Sequence, residues 1–155
     1  MAPLPGELVW DIGAGCGSIA VEWLRCERAT KATAIERDAT RAGFIAENAA
    51  TLGVPNLDII RGDAPAALAG LPAPDAIFIG GGTSDDAIWS AAWKGLKPGG
   101  RLVANAVTLD GEAALFSYHE SLGGELTRIA VSHADNHRFW RPAMPVTQLT
   151  LVKPR

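Results

Sequence analysis

Short apolar runs alternate along this chain with longer stretches in which apolar residues recur every three or four positions. A short apolar run between turn residues is typical of a buried strand, and the wider spacing is typical of an amphipathic helix. Strands are therefore predicted at residues 8–12, 32–36, 57–61, 75–79 and 101–107. Helices are predicted between and after them, at about 18–27, 39–52 (closed by Gly53), 65–69, 85–96 and 111–122.

Two further segments, 125–132 and 146–152, alternate apolar with polar residues as half-buried strands do. No helical pattern separates them, so they are predicted to pair antiparallel. The strands that alternate with helices are predicted to form a parallel, doubly wound α/β sheet. With 155 residues and 48% hydrophobic content, the whole chain, 1–155, is predicted to be one domain with a sizeable core.

A turn with three glycines follows the first predicted strand directly. Gly13, Gly15 and Gly17 come after residues 8–12, and an apolar, helix-like segment begins at Ser18. Glycines let the backbone turn sharply and approach a ligand, and the first N–H groups of the new helix face that ligand. This pattern predicts a nucleotide-type binding site at the first strand of an α/β sheet.

Asp11 and the residues that two nucleotide motifs would need narrow the choice of nucleotide. The dinucleotide fingerprint needs a third glycine where Ser18 stands, and no Gly-Lys-Ser/Thr of a phosphate loop follows the turn. Asp11, just before the glycines, would repel a pyrophosphate but suits a ligand with an amino group and a sulfonium charge. Glu36 ends the second strand, where a carboxylate accepts from two ribose hydroxyls, so it indicates a ribose without choosing between cofactors.

Three more motifs follow predicted strands or lead into one, at the edges of the same crevice. The sequence RGDA at 61–64 ends the third strand, where the Asp63 side chain is placed to accept from an adenine amino group. Gly80, Gly81 and Gly82 follow the fourth strand and leave an open lip for a substrate, and LKPGGRLV at 96–103 turns into the fifth. Together with the glycine turn, this ordered set resembles the class I S-adenosylmethionine-dependent methyltransferases over essentially the whole chain.

A narrower resemblance rests on WDIGAGCGS at 10–18 with EW at 22–23, GDAPA at 62–66 and IFIGGG at 77–82. These motifs are similar to those of the decarboxylating precorrin methyltransferases of cobalamin (vitamin B12) synthesis, which include the C-terminal half of a fused enzyme. The resemblance implies S-adenosylmethionine as methyl donor, with S-adenosylhomocysteine as product. It also implies methylation of carbon 15 of a corrin precursor, loss of carbon dioxide from the ring C acetate, and a homo-oligomer, by resemblance a tetramer. Family members usually have a helical stretch before the first strand, whereas this sequence starts only a few residues before it. We therefore expect that the sequence is the excised C-terminal domain of a two-domain enzyme, as an alternative to a single-domain protein.

The resemblance and the strand-end positions together give the candidate site residues. The predicted cofactor-binding residues are Asp11, Gly13, Ala14, Gly15, Gly17, Ser18, Glu36, Arg37, Gly62, Asp63, Ala64 and Gly80. The predicted substrate-binding residues are Gly81, Gly82, Asn105, Arg138, Trp140 and Arg141. Methyl transfer needs no activated nucleophile on the protein, so no catalytic residue is assigned; the candidates are His133, His137 and Asn105, and no metal ligands are predicted.

Several of these substrate residues belong to a cationic segment, residues 128–141. It contains three arginines and two histidines against one acid, Asp135, in a chain whose formal net charge is −3. Because it joins the two closing strands, we expect it at the same sheet edge as the crevice. There Arg138 and Arg141 would pair with acetate or propionate groups, and Trp140 would cover a flat tetrapyrrole. The alternative for this segment is a loop whose arginines contact only water. The alternative for Asn105, on the fifth predicted strand, is a buried amide whose hydrogen bonds are satisfied within the protein.

Other functions stay open at this point. Within the fold, the chain could methylate RNA, protein or another small molecule, and outside catalysis it could bind S-adenosylmethionine only. An acidic chain argues against a nucleic-acid partner. Gly80-Gly-Gly-Thr83 also replaces the Asn/Asp-Pro-Pro-aromatic motif of enzymes that methylate base amino groups.

The sequence also bears on location. No apolar run is long enough for a membrane span, and no signal peptide pattern is present. Cys16 and Cys26 match no disulfide or metal spacing, so we expect a cytoplasmic protein without membrane partners.

Overall fold

The computed structural model describes residues 1–136 and 138–155. The strands and helices predicted from the sequence between residues 8 and 122 are confirmed, with ends that differ by at most two residues, and the short one is a 3₁₀ helix. In chain order the elements are β1 (Leu8–Ile12), α1 (Ser18–Cys26), β2 (Lys31–Glu36), α2 (Ala39–Thr51), β3 (Asp58–Arg61), a 3₁₀ helix (Ala66–Leu68), β4 (Ala76–Ile79), α3 (Asp86–Gly95), β5 (Arg101–Ala106), α4 (Leu109–Leu122), β6 (Glu125–Ile129), β7 (Ser132–Ala134), β8 (Trp140–Pro142) and β9 (Val146–Val152).

Seven strands form one sheet in the order β3-β2-β1-β4-β5-β9-β6. Strands β1 to β5 are parallel to one another, and β9 runs antiparallel to both β5 and β6. The predicted doubly wound sheet with an antiparallel closing pair is therefore confirmed. From β1 the chain first adds β2 and β3 on one side and then β4 and β5 on the other. The connections leave in opposite directions at such a switch point, and a crevice opens at the carboxyl ends of the two strands.

Helices cover the sheet from both faces. One buried cluster lies between the sheet and helices α1 and α2, and it includes Val9, Val21 and Ile45. The other lies against α3 and α4, and it includes Trp10 and Leu115. Neighbouring residues of β1 thus enter opposite clusters, because side chains alternate across a strand. A strand that is covered on both faces reads as the continuous apolar run found in the sequence.

Side chains with oxygen acceptors begin three of the α-helices. Asp38 and Asp85 accept from backbone N–H groups in the first turns of α2 and α3. Thr108 Oγ1 accepts from the backbone N of Gly111 at 3.2 Å, so α4 begins two residues earlier than predicted. At the other end of α2, Gly53 adopts a φ of +81°, the left-handed conformation expected of a closing glycine. None of the helices in the described part of the chain is long and apolar enough to span a bilayer.

The predicted strand 125–132 is wrong at its far end. Strand β6 ends at Ile129, opposite Val146 of β9. The next residue before Val146 is Pro145, which has no N–H to donate to a ladder, so the pairing stops there. Ser132 instead pairs with Pro142 in a separate two-stranded sheet. Apart from Ser132, strands β7 and β8 (the β7–β8 hairpin) fall between the two predicted closing strands, where no strand or helix is predicted from the sequence.

Candidate functional site

A crevice opens at the carboxyl ends of the parallel strands, at the switch point between β1 and β4. Two adjoining cavities form it, and Gly13 after β1 and Gly80 after β4 line both. The first cavity extends over β2 and β3 with a volume of about 220 Å³, and the second extends over β5 and β9 with about 320 Å³. Small-molecule sites usually enclose about 300–1,000 Å³. The geometry therefore suits an extended ligand that spans both cavities.

Glu36, the last residue of β2, is the buried acid of the first cavity. It is 5% exposed, and each of its carboxylate oxygens already accepts one backbone N–H. Oε2 accepts from Gly15 at 2.9 Å, and Oε1 accepts from Asp38 at 3.0 Å. A carboxylate oxygen has room for a second donor, so both oxygens can still accept from ligand hydroxyls. Glu36 thus fixes the glycine turn to β2 and offers two acceptors to the cavity.

Where the two cavities meet, two glycine runs approach each other too closely for side chains. A Cβ on Gly13 would lie 2.8 Å from the backbone N of Gly81, and one on Gly80 would lie 3.2 Å from the carbonyl O of Gly13. Ordinary contacts of a Cβ begin at about 3.4 Å. Gly13 also has a φ of +69°, which favours glycine. These predicted glycines therefore join the turn after β1 to the lip after β4.

The other two glycines of the turn differ from each other in their surroundings. A Cβ on Gly15 would meet no atom within 4 Å, and Gly15 lines the second cavity. A Cβ on Gly17 would lie only 2.8 Å from Cγ2 of Ile45 in α2. Gly17 is buried and lines neither cavity. The structure thus places Gly15 at the crevice and Gly17 in the packing between α1 and α2.

Asp11 is a buried carboxylate that lines the second cavity. It is 1% exposed, and its Oδ2 accepts from the backbone N of Ala20, in the first turn of α1, at 3.1 Å. Its Oδ1 has no hydrogen-bond partner among the described residues. Burial raises the pKa of Asp11 from 3.8 to about 7, the Ala20 N–H lowers it by less, and the charge of Glu36 adds to the rise. A buried oxygen without a partner is unfavourable, so a cationic donor entering the cavity would be stabilised there.

Asn105, near the end of β5, also lines the second cavity. Its Oδ1 accepts from Nε2 of Gln148 on β9 at 2.9 Å. Asn105 is half-buried, so it is not a fully buried amide, and its role towards a substrate stays a prediction. Phe78, Val107 and Val146 line the same cavity and give it an apolar side.

An exposed ion pair borders the first cavity. Arg37 Nη1 lies 3.8 Å from Asp63 Oδ1, with the two side chains 78% and 73% exposed. Exposed pairs of this kind contribute little to stability, so a ligand can exchange places with either partner at small cost. Gly62 and Ala64 line the cavity beside Asp63.

The cationic segment lies next to the second cavity, as predicted, because Ile129 at the end of β6 pairs with the cavity residue Val146. Its side chains are only partly available. Arg128 pairs with Glu112, and Arg141 Nε donates to Oδ2 of Asp135 at 2.9 Å. The remaining predicted residues of the hairpin are exposed and line neither cavity: His133, Arg138, which has a φ of +68°, and Trp140, which is 73% exposed. His137 lies outside the described residues.

Most of the predicted site residues meet in the crevice: Asp11, Gly13, Ala14, Gly15, Ser18, Glu36, Arg37, Gly62, Asp63, Ala64, Gly80, Gly81, Gly82 and Asn105. Residues that also line it but were missed from the sequence are Ile12, Cys16, Ile19, Ile35, Arg41, Phe78, Ile88, Val107 and Val146. Most of them are apolar. Ile12, Cys16 and Phe78 lie within the motifs, whereas Arg41, Ile88 and Val146 lie outside them and carry no sequence signal of their own. Within residues 1–136 and 138–155, no group of three or more His, Cys, Asp or Glu side chains is arranged to hold a metal ion.

These features define a class of protein. A parallel sheet with one antiparallel strand inserted beside its edge, a glycine turn after β1 and an acid at the end of β2 is the arrangement of the class I S-adenosylmethionine-dependent methyltransferases. A family model described as a precorrin methyltransferase domain matches residues 1–153. The chain belongs to this family.

Known relatives are similar to this chain over nearly its whole length. The precorrin-6Y C(5,15)-methyltransferase (decarboxylating) of a Sinorhizobium species is 53% identical over 156 residues, which cover 99% of this chain and 38% of that protein. A crystal structure of the C-terminal domain of precorrin-6Y C5,15-methyltransferase from Rhodobacter capsulatus has a TM-score of 0.90 at 43% identity, covering 98% of this chain and 83% of that one. The probable cobalt-precorrin-6B C(15)-methyltransferase (decarboxylating) of Saccharolobus solfataricus is 34% identical over 134 residues, 82% of this chain and 67% of that protein. The chain therefore spans well under half the length of the Sinorhizobium relative.

Proposed function

We propose that this domain binds S-adenosylmethionine in the crevice and methylates carbon 15 of a precorrin, with loss of carbon dioxide from the ring C acetate. The observation that supports this most is the pair of adjoining cavities, each lined by one buried acid. Glu36 lies in the first cavity and Asp11 in the second, and Gly13 and Gly80 line both. S-adenosylmethionine is an extended ligand with ribose hydroxyls towards one end and an amino group at the other, and both kinds of group are donors to carboxylates.

The names of two relatives support carbon 15 and decarboxylation in particular. This chain matches 38% of a protein named for carbons 5 and 15, and 67% of a protein named for carbon 15 and decarboxylation alone. Methylation of carbon 15 with decarboxylation is the activity that both names share. We therefore assign that activity, rather than methylation of carbon 5, to this domain.

The residues of the crevice fit the cofactor. Glu36 would accept from the ribose hydroxyls, Asp63 from the adenine amino group, and the unpartnered Oδ1 of Asp11 from the amino group of the amino-acid part. Gly15 lines the second cavity, and a Cβ on it would meet no protein atom within 4 Å. Because glycine has no side chain, this space stays free for the amino-acid part. When bound, the cofactor supplies an electrophilic methyl group on a sulfonium centre, which an electron-rich carbon can displace.

The protein's remaining task is to align the acceptor and exclude water, because an in-line displacement needs no nucleophile on the protein. Gly81 and Gly82 leave the lip after β4 without side chains, and Asn105 faces the second cavity next to it. We assign the carboxylates of the precorrin to the β7–β8 hairpin. Arg138 takes part in no ion pair within the described residues, whereas Arg141 already pairs with Asp135.

Calorimetry and a turnover assay test the proposal. The domain should bind S-adenosylmethionine and S-adenosylhomocysteine, and with a precorrin substrate it should produce a methylated, decarboxylated corrinoid and carbon dioxide, detected by mass spectrometry. Binding of the cofactor without turnover of any precorrin would contradict the substrate assignment and favour a different acceptor or a non-catalytic domain. No binding of either ligand would contradict the whole proposal.

The assignment of Glu36 has its own test. Glu36→Gln keeps one acceptor oxygen but loses the charge and the paired acceptor. It should weaken cofactor binding by about 1–3 kcal/mol, the usual contribution of charged hydrogen bonds. The matched control is Glu47→Gln on the exposed side of α2, which should leave the affinity unchanged. Equal affinity of the Glu36 variant and the control would move the ribose site elsewhere.

Three broader expectations stay predictions: a cytoplasmic location, assembly into a homo-oligomer such as a tetramer, and a place as the C-terminal domain of a two-domain enzyme. Light scattering of the purified chain measures the second directly. No nucleic-acid partner is proposed, and a gel-shift titration with RNA at low salt would reveal one.

A further inference from the structure

Asp11 differs from the other acids of the crevice in having a buried oxygen without a partner among the described residues. Both oxygens of Glu36 accept backbone N–H groups, and Asp63 is exposed and paired with Arg37. Asp11 is almost fully buried, and only its Oδ2 has a donor, the backbone N of Ala20. One N–H is a weak stabiliser for a buried negative charge, which in proteins is normally paired.

Among residues 1–136 and 138–155, none of those that line the second cavity is a cation. The charge that acts on Asp11 is that of Glu36 at the end of β2, and it opposes the ionisation of Asp11. The glycine turn contributes the Cys16 thiol as the other titratable group of the second cavity. The remaining residues that line this cavity are uncharged on every element packed against it: Ser18 and Ile19 of α1, Phe78 and Gly80 from β4 and its end, Asn105 and Val107 from β5 and its end, and Val146 of β9.

We propose that Asp11 holds a proton in the free domain and releases it to solvent when a primary ammonium group binds at its unpartnered Oδ1. The inference rests on the proposed function, since the ammonium in question is that of the cofactor's amino-acid part. Without ligand, a neutral carboxyl avoids two buried like charges, on Asp11 and Glu36. With the ammonium in place, the ionised carboxylate gains the cation that the fold itself does not provide. Cofactor and demethylated product, which both have this group, are therefore bound more tightly as pH rises towards 8.

Calorimetry with S-adenosylhomocysteine tests the linkage without turnover. The full chain is titrated at several pH values between 6 and 8, in two buffers of different ionisation enthalpy, which gives the number of protons released. The pKa of Asp11 is about 7 in the free domain. If only the ionised form binds the ammonium, the affinity should be about tenfold higher at pH 8 than at pH 6, with proton release largest at the acid end.

Two controls separate Asp11 from other titrating groups. Methylthioadenosine has the nucleoside but no amino-acid part, so its affinity should not change over this pH range and its binding should release no proton. In Asp11→Asn the side-chain amide oxygen can still accept from Ala20, but the side chain cannot ionise. This variant should bind S-adenosylhomocysteine more weakly than the wild type at pH 8, with little dependence on pH.

Each possible result decides the question. Tight binding of S-adenosylhomocysteine with equal affinity at pH 6 and pH 8 and no proton release would overturn the role of Asp11 and leave the cofactor site intact. A pH dependence that persists unchanged in Asp11→Asn would also overturn it, because the proton would come from another group. Failure of both S-adenosylhomocysteine and methylthioadenosine to bind would instead refute the proposed function, and this inference with it.

Discussion

Substituting Gly17 with alanine should destabilise the domain through two separate effects. Gly17 has a φ of +81°, and a Cβ built on it lies 2.8 Å from Cγ2 of Ile45. A left-handed backbone conformation costs a residue with a Cβ about 1–2 kcal/mol. Extra atoms in a packed core cost about 1–3 kcal/mol more. The expected loss in free energy of unfolding is therefore about 2–5 kcal/mol, a large part of the roughly 5–15 kcal/mol typical of a domain.

Gly15 provides the matched control, because it lies in the same turn with a φ of +61° but nothing within 4 Å of its Cβ position. Gly15→Ala should cost only the backbone part, about 1–2 kcal/mol. Urea unfolding of both variants, alone and combined with Ile45→Ala, measures the contribution of the contact. Since Ile45→Ala removes the two Cγ atoms and leaves only the Cβ at 3.3 Å, Gly17→Ala should then cost only slightly more than Gly15→Ala does. The ranking of the two variants should be reversed for cofactor affinity. Gly15→Ala should lose more affinity than Gly17→Ala, because its side chain narrows the second cavity.

Two results would refute this reasoning. If Gly17→Ala and Gly15→Ala destabilise equally in the otherwise wild-type chain, the packing against Ile45 does not require glycine at 17. If the cost of Gly17→Ala is the same with and without Ile45→Ala, the strain arises elsewhere in the turn.

Three further predictions concern charge. The pKa of Asp11 is about 7 in the folded chain, against an ordinary value of 3.8. The protonated carboxyl therefore favours the folded state, and its contribution to the free energy of unfolding is full below pH 3.8. This contribution is lost as pH rises from 3.8 through 7, by about 4 kcal/mol. The difference between wild type and Asp11→Asn in chemical unfolding at pH 4 and pH 8 measures it. The carboxylate of Glu7 accepts hydrogen bonds from Nη1 and Nη2 of Arg101. These bonds are the main reason why the pKa of Glu7 lies below 4.5. Glu7→Gln should therefore cost about 1 kcal/mol at pH 7, and less as pH falls below 4.5, in the same unfolding assay. Arg138→Ala with Arg141→Ala should raise the KM for the precorrin in steady-state kinetics while leaving the calorimetric affinity for the cofactor unchanged.

Each of these has an outcome that contradicts it. A difference between wild type and Asp11→Asn that is the same at both pH values would mean that Asp11 ionises normally. A cost of Glu7→Gln that is as large at pH 3 as at pH 7 would mean that the carboxylate charge is not the cause. A parallel loss of precorrin and cofactor affinity in the double arginine variant would point to a structural role for the hairpin.

The sequence by itself determined the type and order of most elements, because these depend on local periodicity and on turn residues. It also determined the edge of the sheet at which the site lies, since parallel strands place their carboxyl ends together. Asp11, Glu36 and the Gly80–Gly82 run could be predicted as site residues because each lies in the last two residues of an apolar strand or directly follows one. The family resemblance in the same motifs named the methyl donor and the acceptor as expectations.

Contacts between residues distant in sequence decided the rest. The position of β9 between β5 and β6 depends on which strand edges are free once the sheet has formed, and the end of β6 depends on Pro145 in its partner. The three glycines of the turn are equivalent in the sequence, yet Gly13 meets the lip after β4, Gly15 faces a cavity and Gly17 packs against α2. Likewise, only the folded chain buries Asp11 and leaves one of its oxygens without a donor, because burial and hydrogen bonding are properties of the assembled neighbours and not of the motif.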